Sequence, residues 1–71
     1  MKGKTDINIT VGNNIKRERL YKGVSQERLS ELAGVHRTYI GMIERAERNI
    51  TVSSLLKIAN ALNIDIAGLL K

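Results

Sequence analysis

Residues 25–44, SQERLSELAGVHRTYIGMIE, constrain the fold more than any other stretch of this chain. Two short helical patterns meet across Ala33-Gly34-Val35. In the first, Leu29 and Leu32 fall on one helical face. In the second, Tyr39, Ile40 and Ile43 bring apolar bulk inward at helical spacing. Ser25 is a good N-cap, because its hydroxyl accepts from a backbone N–H that has no partner within the helix. Gly34 ends the first helix, since the left-handed conformation at that position costs glycine nothing sterically. The pattern predicts helices over roughly 26–33 and 37–45, joined by a tight turn.

Two helices joined in this way form a helix-turn-helix. The second opens with His36-Arg37-Thr38-Tyr39, a donor-rich tip suited to base edges in a major groove. Arg37 can present two donors to guanine O6 and N7. Thr38 can offer its methyl to thymine or its hydroxyl to either edge. Gly41 and Met42 fall on the next exposed turn, which confines direct readout to the first turn, with Met42 in reach of a thymine methyl.

The stretch resembles the helix-turn-helix of Cro and the lambdoid phage repressors, the XRE-like family. HRTYI followed by ER..RN is most similar to the controller proteins of restriction–modification systems. The resemblance covers roughly residues 10–70 and implies an all-α, compact five-helix domain of the lambda-repressor type. It implies that Arg19, placed four residues before Gly23, pairs with Glu44 at the end of the recognition helix. The alternative is an exposed pair contributing under about 1 kcal/mol. It also implies that Gln26 donates to a phosphate and braces a recognition-helix side chain.

Five positions depart from the family's usual residues, Gly41 and Met42 among them, where relatives often carry larger polar side chains. Ser30 stands where Ala is common, so its hydroxyl needs a partner, expected to be the carbonyl four residues back. His36 stands where Ser, Thr or Asp usually caps; it either contacts a phosphate or sits idle. Ala46 stands where Gly is common, which implies about 1 kcal/mol of strain or a different turn.

The rest of the chain fits around this unit. The polar, patternless residues 1–9 read as a mobile N-terminal arm in which Lys2 and Lys4 either touch DNA backbone or only fray. Residues 10–71 form the domain. Helix 1 is expected from about Thr10, its cap, to Lys22, with Val11 and Ile15 inward and Asn13-Asn14 weakening its propensity. It is strongly basic, with Lys16 a candidate phosphate contact. Tyr39 either reaches a phosphate with its OH or packs as core. Arg45 and Arg48 either clamp phosphates beside the recognition helix or are solvated.

Thr51 caps helix 4, which runs to about Leu62 with an apolar stripe wider than one partner surface needs. Asp65 caps a short last helix, 66–70. Ile64, Ile66, Leu69 and Leu70 are many apolar residues for a chain end in water. They either close the monomer core or form a second face that another copy buries. The family resemblance implies the latter, with helices 52–70 as the dimerising segment.

Seventy-one residues make one domain. A domain of this size hides only about 60% of its unfolded surface. With no Cys, Phe or Trp, it has no disulfide and must fill its core with aliphatic residues, so a homodimer is expected on stability grounds too. A net charge of +5 suits a polyanion partner, though a mildly basic soluble surface explains it equally. The start lacks the apolar region of a signal peptide, and no run approaches a membrane span, so a cytoplasmic, nucleoid-associated protein is expected.

His36 lacks a nucleophile or a supporting carboxylate pattern. The glutamates alternate with arginines as on a solvated helix, and no nucleotide-binding glycine motif occurs. No catalysis, metal, cofactor or small-molecule ligand is expected. The reading is a sequence-specific, homodimeric DNA-binding transcriptional regulator acting on a pseudo-palindromic operator through double-stranded DNA. The alternative is an antitoxin-like protein-interaction module with secondary DNA binding.

Overall fold

The computed structural model describes residues 6–71 of the chain. Four α-helices follow in order: α1 Asp6–Tyr21, α2 Gln26–Ala33, α3 Arg37–Glu44 and α4 Val52–Leu62. A 3-10 helix, Ile66–Leu69, closes the chain. The described residues contain no strand. The fold is all-α, but the fifth element is a single tight 3-10 turn rather than the α-helix expected there.

Local chemistry sets most boundaries. The Ser25 hydroxyl accepts from Arg28 N at 2.9 Å, and Gly34 adopts a left-handed φ of 72° while its N–H donates to the Ser30 carbonyl. The Thr51 hydroxyl accepts from Ser54 N, and Asp65 Oδ1 accepts from Ala67 N. Each side chain satisfies a donor that the first helical turn leaves unpaired.

Several expected boundaries move. α1 starts at Asp6, not Thr10, so residues 6–9 belong to the helix and Thr10 lies inside it. Lys2 and Lys4 lie outside the described residues. The added turn makes a contact remote in sequence, the Asn8 side-chain amide donating to the side-chain oxygen Oδ1 of Asn49. A run of β-branched residues with weak helix propensity gives no local hint of this. α1 ends at Tyr21, not Lys22, and α3 stops at Glu44, not Arg45, which is its C-cap.

The core draws on every element: Val11 and Ile15 from α1, Leu29 from α2, Ile40 and Ile43 from α3, Ile58 and Leu62 from α4, and Leu69 from the 3-10 turn. Fully burying one such aliphatic side chain contributes about 1.5–3 kcal/mol. α2 packs against α3 and α4, while α1 packs against α3 and the terminal turn. Asn14, a local weakness of helix 1 by propensity, is buried and donates from Nδ2 to the Leu69 carbonyl at 3.0 Å. It fastens the C-terminal turn to α1.

Two apolar assignments are corrected. Leu32 does not share the inward face of Leu29; it is 48% exposed. Leu69, expected at a dimer face, has no exposed surface and sits in the chain's own core. A tight 3-10 turn brings side chains three apart onto one side. Ile66 is accordingly half-buried beside Leu69, while Leu70 turns outward.

Candidate nucleic-acid interface

The recognition unit is held from behind. Ile40 and Ile43 anchor one side of α3 in the core. Its C-terminal end is locked by the buried carboxylate of Glu44, which accepts from Arg19 Nε at 2.7 Å and from Arg19 Nη2 at 3.0 Å. Arg19 Nη1 also donates to the Val24 carbonyl at 3.0 Å, and Gln26 Nε2 donates to Glu44 Oε1 at 3.0 Å. Forked, charge-assisted bonds of this kind fix direction as well as distance. This cluster ties α1, the entry to α2 and the end of α3 together. The Glu44 hydrogen bond leads in holding the Arg19 guanidinium above the ordinary arginine range. Burial opposes that shift, and the charge of Glu44 adds to it. Gln26 thus braces Glu44 with its amide.

Ser30 is buried, and its hydroxyl donates to the Glu27 carbonyl, three residues back and not four, at 2.6 Å. The hydroxyl therefore costs the α2–α3 packing nothing in unsatisfied polarity.

The opposite side of α3 faces solvent. His36 is its N-cap: Nδ1 accepts from Thr38 N at 3.1 Å. Histidine, a poor cap by residue preference, does cap here, because its near ring nitrogen reaches where a Ser oxygen would lie. With Nδ1 accepting, the neutral ring carries its proton on Nε2. Arg37 and Thr38 are exposed beside it. Arg37 Nη1 lies 3.6 Å from Glu27 Oε1 on α2, with both side chains about two-thirds exposed.

Further along, Tyr39 and Met42 are half-buried. The Tyr39 ring packs against the core, and Arg48 lies over its face at 5.7 Å from the centroid. Gly41, expected on an exposed turn, is buried, because the Arg45 side chain crosses it. Arg45 Nε donates to Glu47 Oε2 at 3.0 Å. That hydrogen bond, with the charge of Glu47, holds the exposed Arg45 above the ordinary arginine range.

Ala46 takes a left-handed φ of 59°, the strained form of the turn rather than a different one. The strain is about 1 kcal/mol. Lys16 is exposed on α1. The arrangement gathers Arg37, Arg45 and Arg48 along α3 and its exit loop, interleaved with Glu27 and Glu47. Reasoning from sequence assigned Glu27 no part in this surface, and it placed Gly41 on the exposed turn that Arg45 in fact covers. The only signals were the position of Glu27 on the first turn of α2 and, for the covering of Gly41, its place four residues before Arg45.

A family model described as helix-turn-helix matches residues 15–69. Control protein C.SmaI from Serratia marcescens is 46% identical over 65 residues, covering 92% of this chain and 77% of its own. Control protein C.BamHI from Bacillus amyloliquefaciens is 38% identical over 66 residues, covering 92% and 82%. Among solved structures, the restriction–modification controller protein C.AhdI from Aeromonas hydrophila superposes with a TM-score of 0.85 at 39% identity. That match covers 87% of this chain and 94% of the other. The capped two-helix unit, the core-anchored α3 and this likeness along nearly the whole chain agree: the protein belongs to the helix-turn-helix family.

Proposed function

We propose that this protein is a sequence-specific DNA-binding transcriptional regulator, the controller of a restriction–modification system, acting as a homodimer on a pseudo-palindromic operator. One observation carries the reading. The first turn of α3 is exposed on its solvent side, with Arg37 and Thr38 outward, while its other side is fixed to the core and its far end locked by Arg19 and Glu44. A helix held this way can enter a groove without losing its orientation. The likeness to the control proteins C.SmaI and C.BamHI and to the controller protein C.AhdI supports the biological setting.

In this reading Arg37 reads guanine, Thr38 reads the neighbouring base, and Met42 meets a thymine methyl. Lys16, Gln26, His36, Tyr39, Arg45 and Arg48 set position on the backbone. His36 contributes its Nε2–H, since Nδ1 is taken up by the cap. Two copies present their recognition helices to half-sites roughly 34 Å apart.

Arg37→Ala and Arg48→Ala test the division of labour. Arg37→Ala is expected to cost about 1–3 kcal/mol and flatten preference at one base pair. Arg48→Ala is expected to weaken all sequences alike and lower the salt slope by about one. Selection from a random DNA pool, with titrations at several salt concentrations, reads both. Unchanged preference in the first variant removes Arg37 from base reading; an unchanged slope in the second removes Arg48 from the phosphate set.

The dimer reading rests on apolar side chains left open: Val52 at 71% exposure and Leu56 at 46% on one face of α4, and Leu70 at 44% beside the half-buried Ile64 and Ile66. Leu56→Asp adds a charge without entering the core. It is expected to yield folded monomers by sedimentation and to weaken binding to a two-half-site fragment about 100-fold. A dimer that survives this change places the interface elsewhere. The antitoxin-like alternative draws on the same apolar side chains, and recovery of a stoichiometric toxin partner is the result that favours it.

A further inference from the structure

We propose that Glu27 is a specificity-determining residue. From α2 it positions the guanidinium of Arg37 so that sequence, rather than backbone charge, decides where that arginine binds. The proposal rests on the base-reading role given to Arg37 above. The two residues belong to different helices, yet Glu27 Oε1 lies 3.6 Å from Arg37 Nη1 at the tip where α3 meets solvent. With side chains 66% and 65% exposed, the pair adds little to folding. A carboxylate on this tip also works against the general attraction of a basic surface for DNA. Its use therefore lies in binding.

The guanidinium is a rigid plane with five N–H donors, and guanine takes two of them through O6 and N7. The Glu27 carboxylate lies on the Nη1 side at ion-pair distance and leaves the remaining edge to a base. On the right base pair, Arg37 keeps both partners. On a wrong one, its forward edge is unmatched. If it then swings toward a phosphate, it leaves Glu27 unpaired beside the anionic backbone. Specificity of this kind comes from a repulsive element as much as from an attractive one.

Glu31, on the same helix, supplies the comparison. It pairs with Arg28 at 3.2 Å on α2 itself, with both side chains well exposed, and makes no contact of this kind with α3. Glu27→Gln and Glu31→Gln change the net charge equally. Only the first disturbs Arg37.

The test measures full-chain binding to a selected operator duplex and to a scrambled duplex at one salt concentration. Glu27→Gln is expected to lower the ratio of specific to nonspecific affinity about tenfold, chiefly by tightening the scrambled complex. Glu31→Gln is expected to shift both affinities together and leave the ratio unchanged. In an Arg37→Ala background, Glu27→Gln is expected to leave the ratio unaltered.

Equal effects of the two Gln variants on the ratio overturn the proposal. So does an effect of Glu27→Gln that persists without Arg37. A changed preference at a base pair other than the one Arg37 reads also overturns it, because Glu27 would then be reading a base itself. Failure of the base-reading role shows separately, as unchanged preference in Arg37→Ala alone, and takes the positioning role with it.

Discussion

Gly12→Ala is expected to destabilise the protein by about 3 kcal/mol, against the usual sign of the change. Inside an exposed helix, Gly to Ala gains roughly 1 kcal/mol, because glycine has more freedom to lose on folding. Gly12, however, lies where α1 crosses the end of α3. A methyl there overlaps the Ile43 carbonyl oxygen and comes within 3.1 Å of that of Glu44. Both obstacles are backbone, so relief requires α1 to move away from the recognition helix.

Gly41→Ala is the matching control. Its methyl meets only the tip of the Arg45 side chain, at 3.0 Å, and that side chain can swing aside. Urea unfolding of the two variants is expected to show opposite signs, with Gly41→Ala stabilised by up to about 1 kcal/mol. A neutral or stabilised Gly12→Ala would mean that the two helices do not approach this closely.

The second large effect is expected at the buried ion pair. Arg19→Met leaves the Glu44 carboxylate, whose side chain is 3% exposed, with Gln26 as its remaining side-chain donor. Removing one member of a buried pair costs about 3–5 kcal/mol. Natural domains have only about 5–15 kcal/mol in total, and a small one sits near the lower end, so much of the population unfolds. Replacing both members, Arg19→Met with Glu44→Leu, is expected to recover most of the loss in thermal or urea unfolding, since no charge is then stranded.

The remaining question is whether the recovered fold still binds DNA. It is expected to bind more weakly, because two aliphatic groups give α3 no fixed direction. Full binding in the double variant would show that the pair stabilises without orienting. The raised Arg19 contributes stability that is complete below the ordinary arginine range and lost only as pH rises through it. From the arginine side, the lock therefore persists across neutral pH.

These two sites differ in how far the sequence discloses them. The Arg19–Glu44 pairing was legible only through the family likeness, because nothing local links residues so far apart in the chain. Gly12 carried no signal, since a glycine within a helical run reads simply as weak propensity. Asn14 read as a defect of helix 1, and it becomes a tie to the C-terminal turn through the Leu69 carbonyl. Leu69 itself read as part of a dimer face. Its hydrophobicity marks it for burial but does not say by which partner, and only the return of the chain onto α1 and α4 decides that.

By itself, then, the sequence determined what is set within a few neighbouring residues. That includes the Ser25, Thr51 and Asp65 caps, the left-handed turn at Gly34, the helical periods that send Ile40 and Ile43 inward, and the basic tip of α3. Each depends on a hydrogen bond or a facing that one helical turn completes. Tertiary structure alone decided that Asn8 of α1 meets Asn49, that Gly12 lets two backbones meet, that Arg45 covers Gly41, and that Glu27 faces Arg37. Those outcomes depend on distances between helices, which arise only when the apolar faces have packed together.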